Sequence, residues 1–371
     1  MVQVNKKRIL IAPLDWGLGH ATRCIPIIRA CLALGHDVFI VSTGRSLQLL
    51  KKEFPDLKFF DVPAYDIYYQ KKGSFLINII AQLGKVFKGI KREHLLTEKI
   101  IEDHGIDLII SDNRYGIYSR KIHSIIISHQ MMVKMPKCRI AEPFIYLWLQ
   151  RQHKKFNAIW IPDVKGEPNI SGDLSHKYRI PKHAEFIGIL TRFRKPEFNV
   201  EKNIDVLAII SGPEPQRTIF ESLIVEQAGK TSKNFVIVSG LSEKNTRENI
   251  GNNITIISHI PGEELFKLIL SSEIIISRGG YSTLMDLALL NKKCIFVPTP
   301  GQTEQEYLVE ELHKKKLAYA VKQEKFVLIP ALEEIKNYPG LLIEADDKTH
   351  VQVLEKTIQL LPNTKHEEIL N

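Results

Sequence analysis

The sequence predicts an α/β protein made of two doubly wound parallel sheets joined by a linker. Three observations carry this. The chain has 371 residues, more than one ordinary core holds and enough for two domains of roughly 150–200 residues each. Short Val- and Ile-rich runs alternate with helical stretches in both halves, the pattern of parallel strands covered on two faces. Between the halves, residues 163–203 are rich in Pro, Gly, Lys and Asp and interrupt the alternation.

RILIAP (8–13) reads as a buried strand, and a helix follows from about His20 to Leu34. Gly35 ends that helix and DVFIVS (37–42) is the next strand. LKFFDV (57–62), DLIIS (107–111), SIIIS (124–128) and AIWIP (158–162) continue the first sheet as buried strands. The first domain therefore covers residues 1–190 and the linker 191–203. Alternation resumes with VLAIIS (206–211), FVIVS (235–239), ITIIS (254–258), IIIS (274–277) and CIFVP (294–298), which defines a second domain over 204–345. A closing helix and tail, 346–371, can pack back on the first domain. In such sheets ligands bind beyond the carboxyl ends of the strands, so two of them facing each other enclose a cleft.

Composition narrows the class. Apolar residues make up 44% and charged residues 25%, as in ordinary globular proteins. No run reaches the ~18 uninterrupted apolar residues of a spanning helix, and the N-terminal stretch does not read as a signal peptide. Cys24, Cys31, Cys138 and Cys294 have no metal-ligand spacing and read as small buried apolar residues in a reducing cytoplasm. Residues 1–190 hold 29 Lys and Arg against 17 Asp and Glu, a balance of +12, while the remainder holds 22 against 25, a balance of −3. The basic half points to an anionic partner.

SEIIISRGGYSTLMDLALLNKKCIFVPTPGQTEQEYLVEEL (272–312) is the most informative stretch. Gly279 and Gly280 let a backbone approach a ligand, and Ser282 and Thr283 open a helix whose N–H groups suit a phosphate. Asp286, one turn on, can accept from a ribose hydroxyl. Gln305 and Glu306 at the next helix start suit sugar hydroxyls, and SGPEPQR (211–217) adds a second phosphate-facing turn, Gly212, with Arg217 near it. Each piece alone reads rather as a tight turn or a solvated helix face. Their order and spacing together favour a nucleotide-sugar site.

This stretch resembles the C-terminal donor domain of glycosyltransferase family 28 and the wider class with the two-Rossmann GT-B fold. The likeness spans about 205–315, and 8–35 more loosely. It implies that Arg278, Gly280 and Thr283 line a diphosphate and that Asp286 holds the ribose where the family more often has Glu. It further implies that Gln305 contacts the sugar, and that the Ile260 backbone reads a uracil edge. Glu306 departs from the amide often found at its position. The resemblance also implies metal independence, inversion at the anomeric carbon and a UDP-sugar donor. No Asp-x-Asp occurs and no His/Asp/Glu cluster has metal spacing, so no metal or other cofactor is expected.

In that class the loop after the first strand faces the acceptor. Gly17 and Gly19 in GLGHATR turn tightly and place His20 at a helix start, where a neutral imidazole can take a proton from a hydroxyl. Thr22 and Arg23 share the pocket. Asp112, in SDNRYG, either orients His20 or acts as the base itself; Asn113, Arg114 and Tyr115 read as acceptor contacts, and His129 and Gln130 face the same edge. The stretch 70–94 pairs apolar residues at helical spacing with Lys71, Lys72, Lys85, Lys88, Lys91 and Arg92. It reads either as an ordinary domain helix or as a contact with an anionic membrane surface, and the apolar, basic 131–155 favours the second. The acceptor is then a glycan or a lipid-linked molecule, and the expected location is the cytoplasm or the inner face of the membrane. A nucleotide-sugar hydrolase or 2-epimerase on the same fold is the alternative. A dinucleotide oxidoreductase lacks the third glycine of G-x-G-x-x-G, and nucleic-acid binding lacks a stacking series of aromatics.

Overall fold

The structure is a computed structural model that describes residues 6–62, 75–135, 139–197, 200–241 and 244–362, with 75–83 described by backbone alone. Cys138, Lys71 and Lys72 lie outside the described residues.

The first lobe runs β1 (Arg8–Pro13), α1 (Leu18–Ala33), β2 (Asp37–Ser42), α2 (Gly44–Glu53), β3 (Lys58–Asp61), α3 (Phe75–His104), β4 (Leu108–Asp112) and β5 (His123–Ile127). It continues with α4 (Glu142–His153), β6 (Ala158–Ile161), the single turn α5 (Asp173–His176) and β7 (Ala184–Phe186). All seven strands are parallel, in the order β3-β2-β1-β4-β5-β6-β7. The second lobe runs β8 (Ile204–Ile209), α6 (Gln216–Ala228), β9 (Phe235–Val238), β10 (Arg247–Ile250), β11 (Ile254–Ile257), α7 (Gly262–Leu270) and β12 (Ser272–Ser277). It closes with α8 (Tyr281–Leu289), β13 (Lys293–Phe296), α9 (Thr303–Lys314), β14 (Tyr319–Ala320), α10 (Leu328–Glu334) and α11 (Thr349–Gln359). Its order is β10-β11-β9-β8-β12-β13-β14, parallel except for β10. Two Rossmann-like sheets thus make up the molecule, as the alternation predicted.

The differences lie at the sheet edges. β3 is half exposed rather than buried, because only β2 pairs with it. β7, β10 and β14 have 3, 4 and 2 residues, too few for any periodicity to show. In both sheets the strand order reverses beside the first strand, between β1 and β4 and between β8 and β12. Crevices open at such reversals. One apolar cluster runs through both lobes, from Ile9 and Ile28 through Leu190, Tyr281 and Met285 to Leu308. Cys24, Cys31 and Cys294 are buried and free. No described helix is long and apolar enough to cross a membrane.

Candidate active site

β1, β4 and β5 are neighbours, so the residues that follow them share one edge. Gly17, at φ +84, takes the chain off that edge into α1, a conformation that favours glycine. His20 and Arg23 stand one turn apart on α1 and meet Asp112, the wholly buried last residue of β4. Arg23 Nε donates to Asp112 Oδ2 at 2.5 Å, and its Nη2 donates to Oδ1. Burial alone would raise the Asp112 pKa, but the Arg23 charge and hydrogen bonds, with His20, hold it far below the usual carboxylate range.

His20 Nδ1 lies 3.1 Å from Asp112 Oδ1 and 2.8 Å from Arg23 Nη2. The tautomer decides between them. A proton on Nδ1 donates to the carboxylate and leaves Nε2 with a lone pair; a proton on Nε2 makes Nδ1 accept from Arg23. Arg23 Nη1 reaches His129 Nδ1 at 3.1 Å, and His129 Nε2 reaches Glu304 Oε1 at 2.8 Å. That arrangement sets the His129 proton on Nε2. Burial lowers the His129 pKa, with Glu304 partly opposing, so the neutral ring is favoured. Burial pushes the Glu304 carboxyl up, but His129, His20 and Arg23 outweigh it and hold it below its ordinary value.

The second lobe meets this cluster. After β12 the chain turns through Gly279 and Gly280 into α8. A Cβ on Gly279 would lie 2.1 Å from Val309 Cγ1, so glycine lets α9 pack onto the loop. Gly280 caps α8 with extended backbone, and no side chain caps this helix start. Ser282 Oγ donates to Gly19 O across the lobes at 2.8 Å, and Thr22 Oγ1 donates to the same carbonyl at 2.9 Å. Tyr281 stacks on His129 at 3.8 Å between centroids, and its hydroxyl donates to Pro162 O at 2.8 Å. Gln130 Nε2 donates to Glu304 Oε2.

Several expected site residues do other work. Arg278 is 1% exposed, and its guanidinium donates to the carbonyls of Val297 (2.9 Å), Pro298 (3.2 Å) and Gln216 (2.9 Å) and to Gln323 Oε1 (2.7 Å). It lies 4.0 Å over the Phe220 ring and braces the loops instead of facing a diphosphate. Arg217 is likewise held by Glu214, Glu221, Thr218 and the Ser239 carbonyl. Arg114 is buried in an ion pair with Glu93 at 2.6 Å, a tie to α3 and not an acceptor contact. Gln305 Oε1 accepts from Thr299 N at 3.0 Å and Glu306 Oε1 from Gly301 N at 3.1 Å, so both close the turn before α9. Tyr115 packs edge-on against Trp148.

Other candidates keep a place on the edge. Asp286 accepts from Thr191 Oγ1 at 2.6 Å, with Arg192 Nε 3.9 Å away; burial raises its pKa. Thr283 stands in the first turn of α8. Gly212 has φ +110 beside Thr299, and the Ile260 side chain is buried. Asn113 has φ 53, and its buried Oδ1 has no hydrogen-bond partner among the described residues. No group of three His, Cys, Asp or Glu able to hold a metal occurs among the described residues.

Tyr281 and Glu304 belong to the cluster but not to the sequence-based candidates. Both lie inside the motifs GGYST and TEQEY. What the sequence lacks is the opposite lobe, which decides where a helix-start side chain points.

Residues 207–359 match the Glycosyltransferase family 28 C-terminal domain, and residues 7–152 match Glycosyl transferase family 1. An uncharacterized glycosyltransferase of Methanosarcina mazei is 24% identical over 356 residues, 88% of this chain and 89% of the relative. Among solved structures, Acinetobacter baumannii MurG aligns with TM-score 0.60 at 14% identity, over 95% of this chain and 99% of that one. The spinosyn rhamnosyltransferase SpnG, complexed with thymidine diphosphate, aligns with TM-score 0.61 at 14% identity, over 96% and 97%.

Proposed function

The chain is a GT-B glycosyltransferase whose second lobe is a family 28 C-terminal domain, and on that premise we propose that it moves a hexose-type sugar from a nucleoside diphosphate, uridine by resemblance, to an acceptor hydroxyl. The transfer is inverting, in one step, with no obligatory metal. One observation carries the reading. Two glycine loops, one from each lobe, meet at Ser282 Oγ and Gly19 O, with His20 on one side and the uncapped start of α8 on the other.

In this reading the α8 amides hold the diphosphate. His20 carries its proton on Nδ1 against ionised Asp112, and Nε2 takes the proton of the acceptor hydroxyl. The acceptor oxygen bonds the anomeric carbon as the bond from carbon to phosphate oxygen breaks, and the electron pair leaves on the diphosphate. Arg23 keeps Asp112 charged throughout. The basic first lobe suits a lipid-linked acceptor and a peripheral membrane contact.

A thermal-shift panel of UDP-, GDP-, dTDP- and CMP-sugars tests the donor: one class raises Tm by mass action, and an unchanged Tm throughout would overturn the reading. His20→Ala should still bind that donor while turnover falls by about 10²–10⁴-fold. Sugar released from the donor without any acceptor would favour a hydrolase.

A further inference from the structure

The outer face of α4 differs from an ordinary solvated helix face. Ile140 just before it, then Phe144 and Leu147, recur at helical spacing and are 84%, 70% and 63% exposed. The same line continues into exposed Arg151 and Lys154, with exposed Arg139 and Pro143 beside it. Packing does not require these residues, since α4 turns Leu149, Gln152 and His153 inward. Along residues 139–155 the one acid, Glu142, is half-buried and accepts from Met135 N at 2.8 Å.

Two neighbouring features share the same chemistry. Tyr146 packs on Tyr178 at 4.6 Å, which brings exposed Lys177, Tyr178 and Arg179 alongside. At the C-terminal end of α4 a hollow of about 530 Å³ is lined by Arg120, Arg151, Lys154 and Lys155, its charged groups all cationic. Apolar side chains that run into cations and an interfacial tyrosine match the layering of a bilayer surface, acyl boundary first and phosphates next. A purely apolar groove would satisfy Ile140, Phe144 and Leu147 alone and would leave the cationic hollow unmatched.

We propose that α4 docks this face on an anionic phospholipid bilayer, with Ile140, Phe144 and Leu147 entering the acyl boundary and a lipid phosphate seated among Arg120, Arg151, Lys154 and Lys155. This deepens the peripheral-membrane part of the proposed function and relocates its seat from 70–94; it does not depend on the donor chemistry. Because α4 leaves the cleft-side end of β5 and runs back to the far end of β6, the apolar residues lie at the cleft end and the cations at the other. A lipid-linked acceptor would then leave the bilayer close to the cleft.

Vesicle sedimentation of the full chain tests this, with phosphatidylcholine alone or mixed with phosphatidylglycerol. The chain should pellet with the mixed vesicles only. The Phe144→Ser/Leu147→Ser and Arg151→Glu/Lys154→Glu variants should each lose roughly tenfold or more of that partition, with melting unchanged by circular dichroism. Lys85→Glu/Lys88→Glu on α3 should keep it. Indifference of the unaltered chain to phosphatidylglycerol overturns the proposal, as does full binding by the Phe144/Leu147 variant. Loss confined to the α3 variant assigns docking to 70–94 and also overturns it. So does a Tm rise with inorganic phosphate, abolished by Arg151→Glu/Lys154→Glu, in a chain that ignores vesicles. Failure of the donor reading is registered separately, by the nucleotide-sugar panel.

Discussion

Asp112 joins three groups at one point: Arg23, His20 and the Cys24 thiol, whose Sγ lies 3.7 Å from Oδ2. A carboxylate without water around it is costly unless it is paired, and Arg23 supplies the pair. Asp112→Asn should therefore cost about 3–5 kcal/mol, because it leaves the Arg23 charge buried and uncompensated; urea unfolding would measure it. The pH dependence has a definite sign. The folded-state pKa lies far below its unfolded value, so the contribution is complete above the unfolded value of roughly 3.9 and drains away as pH falls below it. The acid limb of the stability profile should accordingly flatten in Asp112→Asn. The meeting of His20 with Asp112 was legible, since the turn after β1 opens α1 beside the end of β4. Arg278 was misread for the opposite reason: the backbone carbonyls that hold it come from two segments distant in sequence, 297–298 and Gln216.

At the scale of elements, two close approaches hold the site loops. Gly279 lets α9 rest on the loop before α8. Gly116 lets α3 rest on the loop after β4, and a Cβ there would lie 2.5 Å from the Ile90 carbonyl oxygen. That oxygen belongs to a helix and does not yield as a side-chain tip does. Gly116→Ala should destabilise by about 1–3 kcal/mol through overpacking and loosen the Arg114–Glu93 tie, measurable by denaturant titration and by proteolysis near α3. The central strands were legible because each is a run of Val and Ile buried on both faces. The edge strands were not. β10 is Arg-Glu-Asn-Ile, exposed throughout, and is a strand only because β11 supplies its hydrogen bonds. The starts of α1, α8 and α9 were placed to within two residues, but the facing of Gln305, Glu306 and Glu304 within one turn was beyond a one-dimensional pattern.

Across the whole molecule, polar bridges between the lobes surround the candidate site. His129 with Glu304, Ser282 with Gly19, Tyr281 with Pro162, and Asp173 N with the Tyr307 hydroxyl at 2.6 Å all cross from one sheet to the other. Glu304→Ala removes the partner of both His129 and Gln130, and should increase the radius of gyration in small-angle scattering while leaving each lobe folded. An unchanged scattering curve would mean that the apolar contacts alone hold the lobes together.

The chain passes between the lobes twice, once between β7 and β8 and again before α11, which lies against α1; just beyond α11, Pro362 O lies 2.5 Å from Lys7 Nζ. Two tethers side by side act as paired pins of a door. Twisting or sliding would stretch one pin against the other, so the motion the tethers leave easiest is a single swing about the line that joins them.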